Sequence, residues 1–200
     1  MRIMIAEDQT MVRQALVALL ELEPDFEVVA QAADGDEALA MAAKHHPDVA
    51  VLDIEMPGPN GIEVAGQLGR SDFEGKAIIV TTFDRPGYLR AAMAAGACGF
   101  LLKDAPAADL AAAIRRVAAG ERVVDPSLAA AALAQGDSPL TDREAEVLAA
   151  AATHDSVADV AARLHLSPGT VRNHLSAAIQ KLGARNRAEA VQIAQRKGWL

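Results

Sequence analysis

The chain has 200 residues, 52% hydrophobic and 3% aromatic, with a net charge of −8. These values exclude a disordered acidic coil and indicate alanine-rich globular packing in one large domain or two small ones. The single cysteine, Cys98, excludes an intramolecular disulfide and a cysteine-rich zinc site. No apolar run approaches the roughly 20 residues of a membrane span, and the start "MRIMIAED" meets two acids too early for a signal peptide, so a cytoplasmic protein without membrane insertion is expected.

From Arg2 to about Gly120, five short apolar runs, "RIMIA", "FEVVAQA", "DVAVLD", "KAIIVTT" and "CGFLLKD", alternate with helical patterns. Such an alternation predicts a five-stranded parallel sheet with helices on both faces, and the central runs lack polar alternation, as doubly covered strands do. From Glu121 to Ser138 the pattern decays into "ERVVDPSLAAAALAQGDS", a linker with one weak helix. Beyond it, Thr141 and Glu144 stand at capping-box spacing, so a helix starts at about Asp142. "SVADVAARLHL" predicts a second helix. "SPGTVRNHLSAAIQKLG" predicts a third, with Ser167 as N-cap, Pro168 at the first position and Gly183 as stop, and "NRAEAVQIAQRKG" a fourth. The expected organisation is therefore an α/β domain over residues 1–120, a linker over 121–138 and an all-helical domain over 139–200.

Charge divides along the same line. Residues 1–122 carry 11 basic and 19 acidic side chains; from Arg163 onward there are seven basic residues and one acid, Glu189. A basic tail on an acidic front suggests two jobs, the second involving a polyanion.

Strand tips are informative because an open parallel sheet binds ligands beyond the carboxyl ends of its strands, where the winding reverses. With strand order 2-1-3-4-5, the first strand delivers Glu7 and Asp8 and the third Asp53 to one crevice, while the fourth ends in Thr81 and the fifth in Lys103. Three neighbouring carboxylates repel unless a cation neutralises them, and an all-oxygen set suits Mg²⁺ or Mn²⁺. Lys103 and the Thr81 hydroxyl complete a socket for a phosphoryl group, with Asp53 as nucleophile.

"IAEDQ", "VLDIEMPGPNG", "VTTFD" and "GFLLKD", in this order over about 120 residues, resemble the receiver domain of two-component response regulators. The resemblance implies phosphotransfer from a sensor histidine kinase to Asp53, with Mg²⁺ held by Asp8, Asp53 and the backbone carbonyl of Glu55, Glu7 assisting, and Lys103 on the phosphoryl group. It also pairs Thr81 with Phe100 as a switch. Many receivers follow the lysine with proline, often cis; this chain has Asp104 instead.

In the third helix of the tail, Val171, Leu175, Ala178, Ile179 and Leu182 recur at core spacing, leaving Arg172, Asn173, Ser176 and Gln180 on the opposite face. Arginine and asparagine there can read guanine and adenine edges, while Lys181, Arg185 and Arg187 suit phosphates; a merely solvated face is the alternative. "LTDREAEVL" and "VADVAARLHLSPGTVRNHLSAAIQKLGARNRAEAV" resemble the LuxR/NarL-type helix-turn-helix. That implies a recognition helix from about Pro168 to Leu182, with Thr170 in its "GTVRN" among the DNA contacts. It also implies a last helix, Arg187 to Lys197, that pairs subunits; closing the domain's own core is the alternative. The chain departs from that family in lacking the usual glycine in the "ATHDSV" turn around His154, and in carrying serine at Ser176 where lysine is common. Within the family the motifs further resemble regulators of membrane-lipid desaturation. Two readings compete: a receiver that works without phosphorylation, and a hydrolase with an aspartyl-phosphate intermediate and Glu55 as its acid.

Overall fold

The computed structural model describes residues 1–82, 86–134, 138–153 and 156–200. They form two compact units, the first from residues 1–82 and 88–129, the second almost wholly from residue 130 onward.

In the first unit, β1 (Arg2–Ala6), α1 (Thr10–Leu20), β2 (Glu27–Ala32), α2 (Gly35–His45), β3 (Val49–Leu52), α3 (Gly61–Leu68), β4 (Lys76–Thr81), α4 (Pro86–Ala94), β5 (Gly99–Leu102) and α5 (Ala107–Ala118) alternate as the apolar runs predict. All pairings are parallel, in the order β2-β1-β3-β4-β5. Side chains alternate across the sheet. Ile3, Ile5, Val49, Val51, Ile78, Val80 and Leu101 pack with Leu20 of α1 and with Leu110, Ile114 and Val117 of α5. Met4, Ala50, Leu52, Ile79 and Phe100, on the other face, are buried as well. Each fully buried aliphatic contributes about 1.5–3 kcal/mol, so the doubly covered centre is the rigid part that carries the strand tips.

A sixth strand, β6 (Val123–Val124), lies where the sequence suggested only a linker, and the order becomes β2-β1-β3-β4-β5-β6. Its two β-branched residues extend the ladder at the β5 edge, Val123 N donating to Cys98 O at 2.9 Å and Asp125 N to Phe100 O at 3.1 Å. Two residues are too few for a period-2 pattern to be visible. The Asp125 carboxylate then accepts from the Ser127 amide at 2.8 Å and opens α6 (Pro126–Ala134), the weak helix of that segment.

The second unit holds α7 (Asp142–Thr153), α8 (Val157–Arg163), α9 (Pro168–Lys181) and α10 (Arg187–Arg196). Val147, Leu148, Val160, Val171, Leu175, Ala178, Ala190 and Ala194 form its core. Thr141 and Glu144 close the capping box at α7, and Ser167 accepts from the Thr170 amide at 3.0 Å. Gly183, at φ +63°, ends α9 in a left-handed conformation open to glycine. The departure around His154 falls outside the described residues. No described helix is long and apolar enough to cross a membrane.

Candidate functional site

The strand tips are positioned by backbone bonds that run one residue past the strands. Glu7 N donates to Ala32 O at 3.0 Å, Asp53 N to Ala6 O at 2.9 Å, and Lys103 N to Thr81 O at 2.8 Å. Glu7, Asp53 and Lys103 are thus held as firmly as strand residues, and only Asp8 stands on the loop beyond. The start of α3 seals the arrangement: Gly61 N donates to Ile54 O at 3.1 Å, and a Cβ on Gly61 would lie 1.9 Å from Asp53 O. Asn60 caps that helix through its side chain, with Glu63 bonding back to the Asn60 amide.

Among the described residues, one group of three metal-ligating side chains converges, Glu7, Asp8 and Asp53, with ligand atoms within 4.8 Å of one another. Glu7 is fully buried and Asp53 is 5% exposed, whereas Asp8 is exposed. The Lys103 ammonium lies 2.5 Å from Glu7 Oε2 and 3.0 Å from Asp53 Oδ2. The Ile54 amide donates to Asp53 Oδ1 at 2.8 Å. Burial foremost, against the opposing pull of Lys103, pushes both carboxyls above their ordinary range; Asp53 adds to the rise at Glu7, and Asp8 to that at Asp53. Among the described residues, the Lys103 ammonium is the one positive group beside the buried Glu7 Oε2. One lysine therefore pairs with two of the three carboxylates. A hard divalent cation fits this all-oxygen set, which lacks histidine and cysteine. Glu55, exposed, joins Asp8, Met56, Asn60, Ile62 and Tyr88 in lining an open crevice on the same side.

Thr81 and Phe100 are both fully buried. The β4–β5 register sets Ile79 beside Phe100 and Thr81 beside Leu102, so hydroxyl and ring share one sheet face, two residues apart. The peptide after Lys103 is trans, so the site is built without the cis bond common after this lysine.

In the second unit, Val171, Leu175 and Ala178 of α9 face the core, and Arg172, Asn173, Ser176 and Gln180 are exposed. Thr170, Lys181 and Arg185, expected to contact DNA, have other partners. The Thr170 hydroxyl is half-buried against Ser167 Oγ at 2.8 Å, as part of the N-cap. Lys181 pairs with Glu144 at 2.7 Å, and Arg185 with Glu189 at 3.0 Å. Arg187 is half-buried in the first turn of α10.

Glu144 was legible in the sequence only as a capping residue. Folded, it is 6% exposed, accepts from the Thr141 amide at 2.8 Å and meets Lys181 from the far end of α9. Lys181 first, then the Thr141 amide, holds its carboxyl below the usual range. A depressed carboxyl contributes stability that is present above its unfolded value and lost as pH falls through the lower folded value. Urea unfolding of the second unit between pH 7 and pH 3 is therefore expected to show a loss at acid pH that Glu144→Gln flattens. A slope identical in the variant excludes the pair as its source.

Residues 3–115 match the response regulator receiver domain family and residues 138–194 the family of bacterial regulatory proteins of the luxR type. The chain is 49% identical over 199 residues to the uncharacterized transcriptional regulatory protein YvfU of Bacillus subtilis, covering 100% of this chain and 99% of that protein. It is 46% identical over 197 residues to the transcriptional regulatory protein DesR of the same organism, covering 98% of each. The structure of the two-component response regulator RcsB bound to DNA superposes with a TM-score of 0.69 at 25% identity, over 98% of both chains. With two relatives at nearly equal identity, the likeness selects no target such as membrane-lipid desaturation. Receiver sheet, acidic tip cluster and four-helix tail, matched over the full length, place this chain in the LuxR/NarL family of two-component response regulators, which are DNA-binding transcriptional regulators.

Proposed function

We propose that Asp53 accepts a phosphoryl group from a sensor histidine kinase, and that the charge gained drives dimerisation and promoter binding through α9. The carrying observation is the convergence of Glu7, Asp8 and Asp53 at the tips of a rigid sheet, with Lys103 paired to Glu7 and Asp53. An Asp53 carboxylate oxygen attacks phosphorus, the P–N bond to the kinase imidazole breaks, and the departing nitrogen takes a proton. Lys103, already beside Asp53 Oδ2, neutralises charge on the transferred oxygens. Asp8, Asp53 and the Glu55 carbonyl would hold a Mg²⁺ ion, with Glu7 assisting; bound there, it would offset the charge of carboxylates and phosphoryl oxygens.

Phosphorylation turns a carboxylate of one negative charge into an acyl phosphate of nearly two, a gain of about one charge and a local change that needs a two-state element to be felt elsewhere. Thr81, Phe100 and α4 are the elements assigned to it. Moving the receiver from 1:99 to 99:1 requires about 5.5 kcal/mol in favour of the active state. Exposed Arg172, Asn173 and Ser176 are the base-reading candidates, and Lys181, Arg185 and Arg187 supply the basic field for phosphates. Lys181 and Arg185 first exchange their carboxylate partners for that role. Working on DNA, the protein acts in the cytoplasm as a regulator rather than as a phosphate-ester hydrolase.

Sedimentation with Mg²⁺, with and without a beryllofluoride phosphoryl mimic, tests the switch in wild type and Asp53→Ala. The expected result is a monomer-to-dimer shift confined to wild type plus mimic. One mass in all four samples leaves a receiver that works without phosphorylation.

A further inference from the structure

The loop that carries the two β1 acids has no side-chain cap of its own. Gln9, at the N-terminus of α1, makes no capping bond, and the first turn of that helix contains no acidic residue. Instead Arg13, one turn into α1, reaches back. Its Nη1 donates to the backbone carbonyl of Glu7 at 2.5 Å and, at the outer limit of a hydrogen bond, to that of Asp8 at 3.5 Å. The amides on either side of these carbonyls are already committed: Glu7 N goes to β2, and Gln9 N goes to Glu7 Oε1 at 3.3 Å. One half-buried guanidinium thus ties the main chain of residues 7 and 8 to the helix that follows.

We infer that Arg13 is a positioning residue for the cation site, fixing the main chain from which Glu7 and Asp8 project. It touches no carboxylate. Burial and neighbouring acids raise Glu7 and Asp53, Lys103 opposes the rise, and Arg13 is not among the causes. This separates the role from simple charge compensation, because the two predict opposite signs. A cation near the acids repels a divalent ion, so electrostatics alone makes binding tighter when Arg13 is removed. Loss of positioning makes it weaker, as when the outer partners of metal ligands are removed.

The inference rests on the acidic tips being the divalent-cation site. The test is calorimetric titration of the full chain with Mn²⁺, comparing wild type, Arg13→Met, Arg13→Lys and Asp53→Ala, with a thermal melt in EDTA for each. Arg13→Lys keeps the charge on a shorter arm, and serves alone should Arg13→Met fail to fold. The expected result is about tenfold weaker Mn²⁺ binding in both Arg13 variants at unchanged stoichiometry. Wild-type or tighter affinity in Arg13→Met or Arg13→Lys, with wild-type binding abolished by Asp53→Ala, overturns the role of Arg13 and leaves the cation site standing. A wild-type chain that binds no Mn²⁺ overturns both.

Discussion

Lys103→Met is expected to destabilise the receiver by about 3–5 kcal/mol at pH 7 without divalent cations, the range for removing one partner of a buried ion pair. The ammonium touches both Glu7 and Asp53, each almost wholly buried, and among the described residues nothing else positive does. Without it, two carboxylates are left in low dielectric with no counter-charge. Both carboxyls already stand above their ordinary range, chiefly through burial. A raised acid favours the fold while protonated, and that contribution is lost as pH rises through the raised folded value. The deficit of Lys103→Met should therefore shrink as pH falls, because both groups take up protons more readily than ordinary carboxyls, and shrink again at pH 7 when Mg²⁺ is added. Urea unfolding at pH 5 and 7, with Mg²⁺ or EDTA, reads all four conditions. Equal deficits throughout mean that Lys103 does not compensate these acids. In the same variant the beryllofluoride-induced dimer should disappear.

The five principal strands were legible because each is a short apolar run closed by a polar tip, and the tip residues carried the site. Asp53 stood out as an acid ending an otherwise apolar strand, and Lys103 as a cation doing the same. The helix boundaries of the tail were legible from local chemistry as well, since Thr141, Ser167 and Gly183 bear caps or stops that need no tertiary context. What the sequence withheld depends on long-range approach. Val123 and Val124 become a strand only because the β5 edge offers Cys98 O and Phe100 O. Lys181 looked free for phosphate until α9 brought it to Glu144, 37 residues earlier in the chain. Arg13 was one more basic residue on a helix, and its reach to two carbonyls depends on the angle between β1 and α1. A signal did exist for Gly61, which closes the turn-forming "MPGPNG"; the sequence shows a turn there, but not the backbone it touches.

That contact makes Gly61→Ala the sharper backbone test. A methyl group at Gly61 would stand 1.9 Å from Asp53 O and 2.8 Å from its carbonyl carbon, and both are main-chain atoms held by the sheet. No rotamer change relieves such an overlap, so either α3 moves outward or the tip of β3 is displaced. Overpacking of this kind costs about 3 kcal/mol. Displacement also acts on Asp53 itself, whose amide is bonded to Ala6 O and whose Oδ1 accepts from the Ile54 amide. Mn²⁺ affinity and the beryllofluoride-induced dimer should therefore fall together with stability. Gly69→Ala is the matched control. Gly69 ends the same helix at φ −64°, and a Cβ there meets nothing nearer than Ala65 O at 3.4 Å. Alanine fits that conformation and restricts the unfolded chain, so a change between zero and about 1 kcal/mol of added stability is expected, with cation binding intact. Equal melting temperatures for the two variants would show that the start of α3 gives way without disturbing β3. The close approach of Gly61 would then have no part in holding Asp53.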